Sequence, residues 1–267
     1  IINNIYKDDP LFTGLFLLSN ENQDQWALLN AKPVSLNGNN LIIRRIRVGK
    51  DERVRTAAER LALIEINELE ENISAKEIQD KHDKAFDVEA VTKEFYNRYL
   101  EIFNGLKNNV FKQTNEVEFA HDYALQFLNR CMFMYFIQRK KWIAHDQEFL
   151  KNFWLEYKGA GQIKDTFYSN WLSILFFEAF NNKYHGDHEQ FPEHIDSALK
   201  FAPWLNGGLF TKNKLDNKVG LTISDIQFEL IMNFFEQHNF TIAEDSPLDQ
   251  EVAVDPEMIG KVYESLV

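Results

Sequence analysis

One cysteine, six prolines and eleven glycines in 267 residues leave several architectures without their raw material. A lone Cys131 builds neither an intrachain disulfide framework nor a thiolate zinc site. It fits a reducing compartment, so the expected location is cytoplasmic. So little Gly and Pro argues against a turn-dense sandwich or barrel and favours long helices. The longest purely apolar run, Cys131–Ile137, falls far short of the ~20 residues that span a bilayer, and no signal peptide opens the chain. No membrane partner is therefore expected. Basic charge is short too. With 29 Lys and Arg against 41 Asp and Glu the net charge is -12, which argues against non-specific nucleic-acid binding by the whole surface.

What the chain has in plenty is aromatic side chains. They make up 14% of the residues, 23 of them Phe, within a hydrophobic fraction of 45%. That is ample material for a sizeable core. The chain starts at Ile1 rather than Met and stops at Val267 inside a helical pattern, so it reads as a fragment of something larger.

The N-terminal stretch has β character. Apolar runs at Leu11–Leu18, Trp26–Ala31 and Leu41–Val48 are separated by turn residues at Asn20–Asp24 and Asn37–Asn40, a small antiparallel meander of three strands. In the third run Ile42, Arg44, Ile46 and Val48 share one parity, and Ile43, Arg45 and Arg47 the other. From Glu52 the period turns helical. An amphipathic helix is expected over 53–72, and Ser74-Ala75-Lys76-Glu77 is a capping box opening another. Val88, Val91, Phe95, Tyr99, Ile102, Phe103 and Leu106 keep helical spacing. The segment 115–141 is apolar around its whole second half and predicts a central, enclosed helix. Further helices are expected at Phe149–Tyr157, closed by Gly159-Ala160-Gly161, and at Trp171–Phe180. Residues 181–220 read as loop. A Ser224–Gln227 capping box starts a helix to about Gln237, and Asp255-Pro256-Glu257 starts a last one. The expected fold is mainly α, a helical bundle with a small N-terminal antiparallel β segment.

Three constellations bear on chemistry. Arg44, Arg45, Arg47, Lys50, Arg53 and Arg55 form a local basic cluster that suits phosphate, and Arg139, Lys140 and Lys141 a smaller one. The alternative is a solvated strand edge and helix start. His185, His188 and His194 with Asp187 and Glu189 invite a metal-dependent hydrolase. However, the segment holds Gly186 and Pro192 and no helical face fixes the ligands, so an exposed polar loop is the better reading. A metal-dependent nuclease would draw on Asp8, Asp9 and Asp24 with Lys32, but Asn30 stands where a second carboxylate is needed two residues before the lysine. Cys131 reads as a core residue. Asn206-Gly207-Gly208 reads as a tight turn, since no Lys and Ser/Thr follow to make a phosphate loop. No complete catalytic site, metal site or small-molecule site emerges from the residues.

Three segments carry a resemblance. They are Phe127–Trp142 (FLNRCMFMYFIQRKKW), Pro203–Phe210 (PWLNGGLF) and Val252–Glu264 (VAVDPEMIGKVYE). In order and spacing they resemble the helical segment ahead of the methyltransferase domain in single-chain type IIG restriction-modification enzymes and related adenine-specific DNA methyltransferases, over about residues 115–267. The resemblance implies a connector, residues 51–267, between a nuclease and a methyltransferase; residues 1–50 match it less clearly and read as the tail of a nuclease-like domain or of another N-terminal domain. It implies DNA as the partner of the parent protein, S-adenosylmethionine as its methyl donor and Mg for cleavage. The family's Asn-Pro-Pro-Tyr type motif and its glycine-containing cofactor loop do not occur in these 267 residues, so the three matched segments have structural roles only. The rival expectation is a non-catalytic helical module that docks protein partners.

Overall fold

A computed structural model describes residues 2–9, 12, 14–34, 40–50, 52–65, 73–205, 207–241, 249–254 and 256–266, with the backbone alone for Ile259 and Tyr263. The protein is mainly α, with a small sheet of four strands among the described residues. The turn expected at Asn37–Asn39, residues 66–72 of one predicted helix, Asn206 and the Asp255 cap lie outside the described residues. Two compact units divide the chain. One is 1–96 with 236–255, the other 97–235 with 256–267.

The first unit is built on the meander. Strands β1 (Leu15–Ser19), β2 (Gln25–Pro33) and β3 (Leu41–Gly49) pair antiparallel in sequence order. The β1–β2 turn is held by Asn20, whose side-chain oxygen accepts from the Asp24 and Gln25 amides. A fourth strand, β4 (Asp249–Glu251), joins β3 in parallel, which corrects the expected three strands. Strand pleating puts alternate residues on opposite faces. On one face Leu28, Ile46 and Val48 pack with Ala57, Ala85, Phe86, Val91 and Val252. On the other, Ala31, Leu41, Ile43 and Phe16 pack on Tyr6 of helix α1 (Ile2–Asp8). The Tyr6 hydroxyl donates to the Ala31 carbonyl.

Helix α2 (Val54–Leu61) is shorter than expected. A 3-10 turn at Ala62–Ile64 follows, turning Leu63 and Ile64 towards the core, and Glu65 is extended. Helix α3 (Ala75–Ala85) starts where the capping box placed it. The Glu77 amide donates to Ser74 Oγ, and the Ser74 amide donates to the Glu77 carboxylate. The first turns of helix α4 (Val88–Thr114) supply Val91 and Phe95 to this unit. Phe95 meets His238 and Phe240 edge-on.

The second unit is helical. Beyond residue 96, α4 buries Tyr99, Phe103, Leu106 and Val110 on one stripe. Helix α5 (Val117–Arg139) buries residues all round its second half, from Phe127 to Ile137, as its lack of a polar face predicts. Helix α6 (Phe149–Gly159) ends before the left-handed Gly161. The expected 171–180 helix is broken into a π turn (Tyr168–Leu172), α7 (Ser173–Phe177) and a 3-10 turn (Ala179–Asn181) that stops at left-handed Asn182. Phe153, Phe167, Trp171 and Phe191 form an aromatic cluster with centroids 4.9–6.4 Å apart. Each such ring contributes roughly 1.5–3 kcal/mol by burial.

One helix falls where loop was expected. Helix α8 (Glu193–Lys200) buries Ile195, Ala198 and Leu199 at helical spacing. Pro192 precedes it, a residue that starts helices as readily as it marks turns. Helix α9 (Asp225–Phe235) is capped by Ser224, whose Oγ accepts from the Gln227 amide at 3.2 Å. Helix α10 (Glu257–Leu266) packs on α5. No helix among the described residues is long and apolar enough to cross a membrane.

Candidate nucleic-acid interface

The six basic residues of the first unit do not form one patch. Strand period sends Arg44 to the face covered by the helices, beside Ile46 and Val48. It sends Arg45 and Arg47 to the opposite face with Leu41 and Ile43. Lys50 sits in the turn after β3, Arg53 leads into α2 and Arg55 lies in its first turn. Most of these charges are met by acids. Arg47 lies 3.7 Å from Glu251, Lys50 3.9 Å from Asp24 and Arg53 2.6 Å from Glu236. Arg55 pairs with Glu59 and reaches Gln237. The Arg44 guanidinium donates to the Ile43 carbonyl at 3.2 Å. Glu236 and Glu251 return from roughly two hundred positions downstream, so sequence proximity does not reveal them. Arg47 and Lys50 keep the most open side chains of the pairs, 44% and 70% exposed.

On the helix-covered face a polar cleft of about 250 Å³ is lined by Asn30, Lys32, Arg44, Asp83 and Gln250, among others. Its centre is Asp83 on α3. Lys32 Nζ lies 2.8 Å from one carboxylate oxygen, and the side-chain amides of Asn30 and Gln79 each donate to the other at 2.9 Å. Partial burial pushes the Asp83 carboxyl up. Hydrogen bonds from Lys32, Asn30 and Gln79, and the Lys32 charge, outweigh it and hold the carboxyl below its ordinary range. Burial lowers the neighbouring His82, against the pull of Asp83.

This cleft revises the nuclease constellation. Lys32 takes its carboxylate from Asp83, not from Asp8, Asp9 or Asp24. Asp24 stands just before β2 and Lys32 near its far end, about 25 Å away along an extended strand. Asp8 and Asp9 sit at the end of α1. The three histidines are not gathered either. His188 faces Glu178 at 2.9 Å, His194 faces Glu156 at 3.2 Å, and His185 is exposed. Among the described residues no three His, Cys, Asp or Glu side chains are grouped to hold a metal ion.

In the second unit the first two resembling segments are joined to each other. Arg130 donates through Nε to the Leu209 carbonyl at 2.7 Å and grips Asp216 with two bonds of 2.6 and 3.0 Å. Gln126 and the Asn213 amide also donate to Asp216. Neither charged side chain meets solvent, Arg130 being 1% and Asp216 0% exposed. Asn181 donates to the Phe210 carbonyl. The Tyr168 hydroxyl, 3.4 Å from Asp216, has its pKa pushed up to about 12 by burial and by that carboxylate. Burial also raises Cys131, the core thiol expected from sequence.

The chain is similar to a restriction-modification protein. Over 226 residues it is 26% identical to "Putative type II restriction enzyme and methyltransferase RM.MjaORFECS2P" of Methanocaldococcus jannaschii. The likeness takes in 74% of this chain and 18% of that protein, so the chain spans less than a fifth of its relative's length. No family model and no solved structure matches.

Proposed function

We propose that this chain is part of a DNA restriction-modification protein, with the second unit as a connector between nuclease and adenine methyltransferase modules. The first unit contacts the DNA backbone along β3 and the start of α2. The observation that carries the reading is the likeness to the archaeal type II protein over most of the chain. The Arg130–Asp216 lock supports the connector role, because it fixes the Pro203–Phe210 segment to the central helix without offering any group for chemistry. S-adenosylmethionine and Mg are the cofactors such a protein uses. No residue of this chain is assigned to either, since no Asn-Pro-Pro-Tyr type motif occurs in the sequence.

For the DNA contact Arg47 and Lys50 lead. Lys50 and its partner Asp24 are both exposed and 3.9 Å apart, so a phosphate can replace that partner at little cost; Arg47 keeps 44% of its side chain open beside the buried Glu251. Reversing both, Arg47→Glu with Lys50→Glu, in the full-length protein should weaken duplex binding. It should also flatten the plot of log affinity against log salt by about 1 for each phosphate no longer held. Binding and slope identical to wild type would sink the contact. The protein-docking reading has one observation in its favour. Ile226 and Leu230, one turn apart on α9, are 74% and 52% exposed. It predicts that no DNA raises the thermal midpoint of the protein.

A further inference from the structure

The smaller basic cluster, after α5, stands in a setting unlike the first. The helix ends at Arg139, and the chain then turns sharply through three non-glycine residues in the left-handed region, Lys141 (φ 57°), Ala144 (φ 50°) and His145 (φ 55°). The turn is pinned. Lys140, Lys141 and Trp142 amides donate back to Phe136, Gln138 and Ile137 carbonyls, the Asp146 amide donates to Ile143, and Ile143 itself is fully buried. With Ile143 turned inward, Lys140, Lys141, Trp142 and His145 are left facing solvent. Backbone held in sparsely populated conformations to present such side chains is a mark of a working surface.

Two features say what fits there. Lys140 Nζ stands 5.0 Å from the centre of the Trp142 ring, and Trp142 remains 51% exposed. Among the described residues no carboxylate lies within ion-pair distance of Lys140 or Lys141. The nearby acids are occupied, Asp146 by the Glu148 amide and Asn152, and Glu148 by Lys151. Uncompensated cations on a chain of net charge -12 ask for an anion. The α5 C-terminus opposes an anion with about half a negative charge, which two lysines exceed. An open indole beside Lys140 suits the face of an aromatic ring. A partner offering phosphates beside flat rings is nucleic acid, and a ring face is free only where the base is out of the duplex stack.

We infer that the Lys140–His145 corner binds an unpaired nucleotide, its base stacked on Trp142 and its flanking phosphates on Lys140 and Lys141. The inference rests on the restriction-modification reading only in taking DNA as the partner. It uses residues separate from those of the β3 contact.

The test is a titration with oligothymidylate, a hairpin duplex and heparin, reading tryptophan fluorescence and affinity at two salt concentrations. Oligothymidylate should quench the wild-type protein. Trp142→Ala should remove that quench and weaken binding roughly tenfold or more. Lys140→Gln with Lys141→Gln should lower the single-strand salt slope by about 1.4. All variants should keep the wild-type thermal midpoint. Arg47→Glu with Lys50→Glu should leave oligothymidylate binding unchanged, so a failure of the β3 contact registers on the duplex alone. Wild-type affinity in Trp142→Ala overturns the inference. So does binding without quench, or heparin binding as tightly as oligothymidylate with Trp142 silent, which marks a mere polyanion patch.

Discussion

Asp83 and Asp216 each sit at the hub of a polar network, and each is paired with a cation and amide donors. Their surroundings differ. Asp83, with Lys32, Asn30 and Gln79, lines an open cleft and keeps 34% of its side chain exposed. Asp216, with Arg130, Gln126 and Asn213, is shut off from water. The same chemistry therefore carries different stakes. Water can replace a missing partner of Asp83, whereas a missing partner of Asp216 leaves a bare charge in a dry interior. The dry network gives its segment one geometry; the wet one remains open to exchange, pH and ligands.

The contrast breaks hardest at Asp216. Asp216→Ala should cost about 3–5 kcal/mol in urea unfolding, because Arg130 is then buried without its anion. Labelling of buried Cys131 by a thiol reagent should speed up in the same variant. A loss below about 1 kcal/mol would mean that water reaches Arg130 and that the two hubs are alike. At Asp83 the expected loss is smaller. Asp83→Ala should cost about 1 kcal/mol, discounted because the carboxylate is screened by solvent.

The wet hub should instead respond to acid. The His82 pKa is lowered from 6.5 in the folded state, so its contribution is present above 6.5 and is lost as pH falls below that value towards the folded pKa. The Asp83 pKa is lowered from 3.8, so its contribution is full above 3.8 and is lost as pH falls through the folded value. Amide protection along α3, taken relative to the intrinsic exchange rate at each pH, should therefore fall in two stages on acidification. A flat profile between pH 7 and 5 would remove His82 from the account. The smallest effect belongs to Lys50 and Asp24, 3.9 Å apart and 70% and 43% exposed. A double-mutant cycle on that pair should return well under 1 kcal/mol.

Local signals are legible in the sequence, and returns from afar are not. The Ser74–Glu77 and Ser224–Gln227 boxes mark two helix starts because capping needs only four consecutive residues. The all-round apolar pattern of 127–137 marks the central helix. The alternation in β3 already separates Arg44 from Arg45 and Arg47, although proximity along the chain groups all six basic residues. Nothing near Asp249–Glu251 signals a strand, since its three residues are polar and its partner lies far back in the chain. Lys32 gives no hint of Asp83, which sits on another element. Helix α8 is the avoidable miss. Ile195, Ala198 and Leu199 hold the helical spacing, and only the nearby Gly186 and Pro192 draw the reading towards loop.

The parallel strand β4 also sets a timetable. Ile43 pairs with Asp249, so during synthesis the outer edge of β3 waits for roughly two hundred further residues, about 10–40 s at ribosomal speed. Through that interval the edge is a template on which any passing strand could pair. Arg44, Arg45 and Arg47 line it, and a row of like charges repels a second copy of itself. The arginines thus guard the edge of β3 until β4 pairs with it.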